Sequence, residues 1–85
     1  MTVIDDVKVV LTGALGLGQR GSRLTADSTL LGGIPEFDSM AVVTVITMLE
    51  EHFGFMVEDD EIDADVFETV GSLSNFVTQK LASLD

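Results

Sequence analysis

Apolar residues recur at three- and four-residue spacing in three separate stretches of this chain, and nowhere does a two-residue alternation last for the length of a strand. Val3, Ile4, Val7, Leu11, Ala14 and Leu15 form the first stripe, with Asp5, Asp6, Lys8 and Thr12 largely on other faces. Val42, Val45, Ile46, Leu49 and Phe53 form the second, over Ser39–Phe53, while Met40, Val43, Thr44 and Thr47 fall elsewhere; Gly54 follows as a helix-ending glycine should. Leu73, Phe76, Val77, Leu81 and Leu84 form the third, with Thr69 or Ser72 placed to cap it. Val66, Phe67 and Val70 stand in a stretch long enough only for a short helix. The pattern predicts one all-α domain over residues 1–85, a small bundle of three principal helices plus one short helix around a single core.

Between the first two stripes lies a long loop, residues 16–38, which holds five glycines and the only proline. Leu24, Leu30, Leu31, Ile34 and Phe37 occur in it without a clear period, as expected of side chains that pin a loop to a core. Loops of this length without structure of their own are uncommon in compact domains and usually functional. This one runs Gly32-Gly33-Ile34-Pro35-Glu36-Phe37-Asp38-Ser39-Met40 into the second helix. Ser39 therefore stands beside unpaired backbone N–H groups and the positive end of a helix dipole, a favourable place for an esterified phosphate.

Composition narrows the function. A domain of 85 residues buries only about 60–65% of the surface its unfolded chain exposes, which leaves little room for a deep active site. Fifteen acidic and four basic side chains give a net charge of −11, which opposes nucleic acid and anionic membrane surfaces and calls for partners with basic patches. The most apolar run, residues 40–49, spans about 15 Å as helix, short of a bilayer crossing. The start of the chain does not resemble a signal peptide, since Asp5 and Asp6 interrupt it, and a cytoplasmic protein is expected. There is no cysteine, so any thiol chemistry must come from an added group.

Several motifs lose their functional reading on inspection. Gly16-Leu17-Gly18-Gln19-Arg20-Gly21 matches the dinucleotide fingerprint letter for letter, but it follows a helix and enters a loop, where that fingerprint needs a strand before it and a helix after. In the acidic run 58–65, an ion-binding loop starting at Asp59 would find Ala64 in place of the required glycine and Val70 in place of the bidentate glutamate. A solvated acidic face is expected there, and no metal site. His52, the lone histidine, has no cysteine partners for zinc. It also lies thirteen residues from Ser39 on one helix, about 20 Å, too far to serve as the base for a catalytic serine. Two readings of Ser39 remain from the residues alone: it caps the second helix, or it is an attachment point.

Leu24-Thr25, Leu30-Leu31-Gly32-Gly33-Ile34, Asp38-Ser39-Met40 and Leu49-Glu50-Glu51-His52-Phe53-Gly54, in that order, together resemble an acyl carrier protein, and the resemblance extends to the opening helix and to the closing segment 69–81. It implies that Ser39 carries 4′-phosphopantetheine, delivered from coenzyme A by a magnesium-dependent phosphopantetheinyl transferase, with Asp38 and Met40 forming part of the surface that the transferase recognises. It implies a non-catalytic, monomeric carrier whose arm holds acyl groups as thioesters for acyl-loading and acyl-transferring enzymes, as in fatty acid or polyketide biosynthesis. Glu50 and Glu51 are the helix acids expected to meet partners. Val45, Ile46, Leu49, Ile62 and Phe67 are candidates for a pocket that shelters an acyl chain, ordinary core packing being the other reading.

Carriers of fatty acid synthesis commonly bear further acids early in the second helix, where this chain has Ala41, Val42, Val43 and Thr44. The pattern looks more like a specialised carrier, of the kind found in polysaccharide or surface-protein biosynthesis. An aminoacyl or peptidyl carrier on the same arm, and an acidic helical adaptor without a prosthetic group, are the alternatives. Self-repulsion at a charge of −11 predicts that added salt, divalent cations or mild acidification raise the melting temperature; a thermal scan across an ionic-strength series checks this, and a flat or falling trend contradicts it.

Overall fold

A computed structural model describes residues 2–83; Leu84, which the apolar pattern assigns to the last helix, lies outside them. Helix α1 covers Val3–Leu15, α2 covers Ser39–Phe53 and α3 covers Val70–Ala82, with short 3-10 helices at Gly18–Arg23 and Asp59–Glu61. Each α-helix starts where a side chain can satisfy the orphan N–H groups of the first turn. Thr2 accepts from the Asp5 N–H, Asp38 from Ala41, and Thr69 from Ser72, whose own hydroxyl accepts from the Thr69 N–H to complete a reciprocal box. Gly16 and Gly54 end the first two helices in the left-handed region, at φ 65° and 77°, a conformation that costs glycine no steric strain.

Helix α1 packs against both α2 and α3. The helices bury Val7, Val10, Leu11 and Leu15 from α1, Val45 and Leu49 from α2, and Val70, Leu73 and Val77 from α3. Each such side chain contributes about 1.5–3 kcal/mol relative to an exposed position. The connecting segments add Leu17, Leu30, Phe37, Phe55 and Phe67 to the same core. Leu30 and Phe37 thus pin the long loop as their sequence spacing suggests, Leu24 and Ile34 pack partly buried against the core, and Leu31 stays exposed.

Two features of the connections differ from the sequence reading. The long loop contains structure of its own, the 3-10 helix Gly18–Arg23, which lies so close to α1 that a Cβ on Gly21 would collide with the Thr12 side chain. The glycines of the fingerprint-like motif therefore stop α1 and allow this close approach. The short fourth helix falls at Asp59–Glu61, and Val66 and Phe67 sit on successive turns closed by the Val66, Phe67 and Glu68 N–H groups bonding back to Asp63, Ala64 and Asp65. Aspartates at 63 and 65 favour such turns over a continuing helix, because their short polar side chains compete for nearby backbone donors; the Asp63 carboxylate accepts from the Val66 N–H at 3.1 Å.

Four backbone hydrogen bonds then tie the loop to the start of α3. The Leu30 and Leu31 N–H groups donate to the carbonyls of Glu68 and Phe67 at 2.9 and 3.2 Å, and those of Val70 and Gly71 donate to Ser28 and Ala26 at 3.0 and 2.8 Å. Thr29 and Thr69 face each other across this seam as an isolated antiparallel bridge.

Lys80 on α3 clamps the acidic segment, its ammonium lying 2.9 Å from both carboxylate oxygens of Glu61. The Glu58 N–H also donates to Glu61, and these bonds, the backbone one first, hold the Glu61 carboxyl below its ordinary value of 4.5. A carboxylate whose pKa is lowered on folding adds stability above its unfolded value and loses it as pH falls through the folded one. Glu61→Gln is therefore expected to lower the melting temperature at neutral pH, with the gap to wild type closing as pH drops below 4.5. Paired thermal melts across that range check it.

Candidate functional site

Ser39 is the first residue of α2 and is exposed. The cap is its neighbour: the Asp38 carboxylate accepts from the Ala41 N–H at 2.9 Å, and the Asp38 carbonyl from the Val42 N–H at 3.0 Å. That arrangement removes the capping reading of Ser39. Its hydroxyl has no hydrogen bond among the described residues, and neither do the N–H groups of Ser39 and Met40. A free hydroxyl beside two free donors at the positive end of a fifteen-residue helix suits a phosphodiester on Ser39 Oγ.

The approach to Ser39 is rigid for local reasons. Phe37, two residues earlier, is buried, its ring 5.9 Å from that of Phe67, and its N–H donates to the Ile34 carbonyl at 2.9 Å. Glu36 pairs with Arg20 of the first 3-10 helix, and this hydrogen bond holds the Glu36 carboxyl below its ordinary value. The serine is thus presented on a braced loop although it is itself open to solvent. Neither the Arg20–Glu36 pair nor the Phe37–Phe67 contact was legible in the sequence, because each joins residues far apart in the chain without a shared period.

The remaining residues singled out by sequence divide into three groups. Met40 is exposed next to Ser39. Glu50 and Glu51 lie toward the opposite end of α2, about 17 Å away by helix rise; Glu51 is exposed, but Glu50 is half-buried and its carboxylate accepts from the Val57 N–H at 2.8 Å. Glu50 therefore fastens the chain leaving α2, leaving Glu51 as the freer of the two. Val45, Leu49 and Phe67 fill the core, with Ile46 and Ile62 partly buried against it. An acyl chain entering there would have to part these side chains.

His52 is exposed, 3.8 Å from the Asp6 carboxylate and edge-on to Phe53, at the far end of the helix from Ser39. His52 therefore cannot serve as a base for the serine. Among the described residues no group of three or more metal-binding side chains converges, and no helix is long and apolar enough to cross a membrane.

Comparison with known proteins places this geometry. The family model of the phosphopantetheine attachment site matches residues 6–77. Acyl carrier proteins of Chlamydia trachomatis serovars D and A are each 29% identical over 80 residues, covering 94% of this chain and 97% of theirs. The solution NMR structure of a holo acyl carrier protein from Nitrosomonas europaea superposes with a TM-score of 0.90 at 57% identity, covering 96% of this chain and 99% of that one. The chain belongs to the phosphopantetheine-binding acyl carrier proteins. It is a non-catalytic carrier, and its prosthetic group is covalently attached 4′-phosphopantetheine. An adaptor without a prosthetic group is excluded by this membership.

Replacing the Asp38 cap with alanine is expected to lower stability by about 1 kcal/mol, within the usual range for losing an N-cap. Chemical denaturation of Asp38→Ala and Asp38→Ser separates the two cases, since serine should restore most of the loss.

Proposed function

We propose that Ser39 Oγ is the attachment atom and that the protein holds acyl groups as thioesters on the arm fixed there. The observation that carries this reading is the division of labour at the start of α2: Asp38 caps the helix, and Ser39 is left exposed and unbonded with free N–H groups beside it. When attached, the group supplies a terminal thiol that a chain without cysteine lacks. The protein's own residues do the rest. Phe37 and the Arg20–Glu36 pair hold the loop so that the arm leaves in one direction, and the helix N-terminus stabilises the phosphodiester charge.

In this reading the apo protein is the substrate of a phosphopantetheinyl transferase that uses coenzyme A, with Asp38 and Met40 within its footprint. A charge of −11 steers the carrier toward partners with basic patches, and charge-driven encounter favours the fast, weak association a shuttle needs. The carrier works as a cytoplasmic, monomeric single domain. Its relatives are named as acyl carriers, which favours acyl over aminoacyl cargo.

Incubating the apo protein with coenzyme A, magnesium and a broad-specificity phosphopantetheinyl transferase should add one phosphopantetheine by intact mass, and Ser39→Ala should abolish the addition. An unchanged wild-type mass, or labelling that survives Ser39→Ala, contradicts the assignment. Release of the native cargo by hydroxylamine, followed by mass analysis, identifies the acyl group.

A further inference from the structure

An arm fixed at Ser39 has a definite length, which limits where it can lie between deliveries. From Ser39 Oγ to the terminal sulfur, 4′-phosphopantetheine is a chain of about fourteen bonds, as many as in four to five residues of polypeptide, so it reaches about 16 Å when extended. Its outer half alternates methylene pairs with amides and ends in sulfur. Such a chain suits an apolar wall with a few polar groups beside it.

The core is closed to it, since Val45 and Leu49 on α2 are 0% and 1% exposed. A cleft of about 180 Å³ is open without any side chain moving, lined by Leu17, Arg20 and Leu24 in and around the 3-10 helix Gly18–Arg23, and by Gly33, Ile34 and Pro35 of the loop that leads to Ser39. Four residues separate Pro35 from Ser39, and that much chain spans at most about 14 Å. The true separation is shorter, because the Phe37 N–H turns back to the Ile34 carbonyl at 2.9 Å and the Asp38 N–H to the Glu36 carbonyl at 3.2 Å. The cleft is therefore within the arm's reach.

Its walls also fit. Leu17 is buried and Leu24 and Ile34 are half-buried against the core, which gives the cleft an anchored apolar floor. Arg20 is exposed and gives one donor to Glu36, and the rest of its guanidinium fork is available to amide carbonyls. Two other clefts are less suited. One is lined by Met48, Glu51 and His52, nine or more residues along α2 from Ser39, and the other by Asp5, Lys8 and Val9 of α1; each has a carboxylate on its wall.

We propose that the cleft between the 3-10 helix and the loop is the resting site of the arm, with Leu24 and Ile34 against its outer half and Arg20 donating to its amide carbonyls, until a partner enzyme draws it out. The inference rests on the assignment of Ser39 as the attachment residue. Ordering so many rotatable bonds offsets most of what a small cleft contributes, so the contact is weak. Tethering makes a weak contact sufficient, because a group on a short flexible linker is present at an effective concentration on the order of millimolar. A weak hold also lets the arm leave readily.

The test compares isotope-labelled apo protein with holo protein made from it using coenzyme A, magnesium and a phosphopantetheinyl transferase, the arm being unlabelled. Intact mass first establishes loading. Isotope-filtered NOE spectra of the holo form should show contacts from the arm's methylene protons to the methyl groups of Leu24 and Ile34, and the resonances of Leu17, Leu24 and Ile34 should shift between the two forms. Leu24→Gln should remove those contacts and cut the Ile34 shift by about half or more, because it sets an amide in place of the apolar wall. The shifts at Asp38, Met40 and Ala41 should remain. Arg20→Gln, at an exposed position, should act in the same direction, and it carries the test if the apo spectrum of Leu24→Gln reveals a disturbed fold. Shifts confined to the neighbours of Ser39, or an Ile34 shift that survives both variants without contacts from the arm, overturn the resting site and leave the attachment standing. A wild-type mass that does not rise overturns the attachment at Ser39, and the resting site with it.

Discussion

Four backbone hydrogen bonds between residues 26–31 and 67–71 hold the long loop against the start of α3, and the placement of the site depends on them. A loop of this length would otherwise sample many conformations, at a cost of about 1–2 kcal/mol per residue to order. The seam fixes its middle, and the apolar side chains on either side of the seam, Leu30 and Phe67, drop into the core. From there the chain has only a few residues to travel before Phe37 anchors it again against Phe67. The direction of α2, and with it the position of Ser39, follows from these anchors. The seam is also what lets a loop rich in glycine hold Ser39 in one place.

Electrostatics acts on two length scales in this molecule. At short range two of the four basic side chains are engaged locally. Arg20 braces the loop through Glu36, and Lys80 fastens the acidic segment to α3 through Glu61. At long range the surplus of carboxylates makes a field that repels other polyanions and attracts basic surfaces. The outer face of α2 beside Ser39 stands apart from both, with its threonine hydroxyls bonded to its own carbonyls and its methionine and valine in solvent. The carrier is thus acidic as a whole and apolar on the outer face of α2 beside Ser39.

Much of the fold was legible in the sequence because helices obey local rules. The stripes of α1 and α2, the glycines that stop them and the threonine that starts α3 all act within one or two turns, so α1 and α2 coincide with their stripes. The connections were less legible. The 3-10 helix Gly18–Arg23 has no apolar period and owes its place to packing of Gly21 against Thr12, a contact between separate elements. The turns around Val66 and Phe67 replaced a short helix because aspartate side chains compete for the backbone there. At the site, Ser39 stood out by its neighbours in the chain, but its bonding state did not. Serine and aspartate are equally good caps, and only the geometry shows the Asp38 carboxylate on the Ala41 N–H. Glu50 likewise reads as a free surface acid until its carboxylate is found on the Val57 N–H.

By itself the sequence determined the helical class, the bounds of the first two helices, the absence of thiol chemistry within the chain and the serine at a loop-to-helix junction. These follow from periodicity, capping preference and composition, which are properties of neighbouring residues or of the whole chain. Only the tertiary structure decided which residue caps α2, which acids are engaged within the fold, how the loop is held, and that α2 turns an uncharged apolar face outward beside Ser39. Each of these depends on where a backbone donor or acceptor points after the chain has folded. A hydrogen bond or an exposed face is settled by the competition among all groups brought within reach, and residue spacing alone does not rank those competitors.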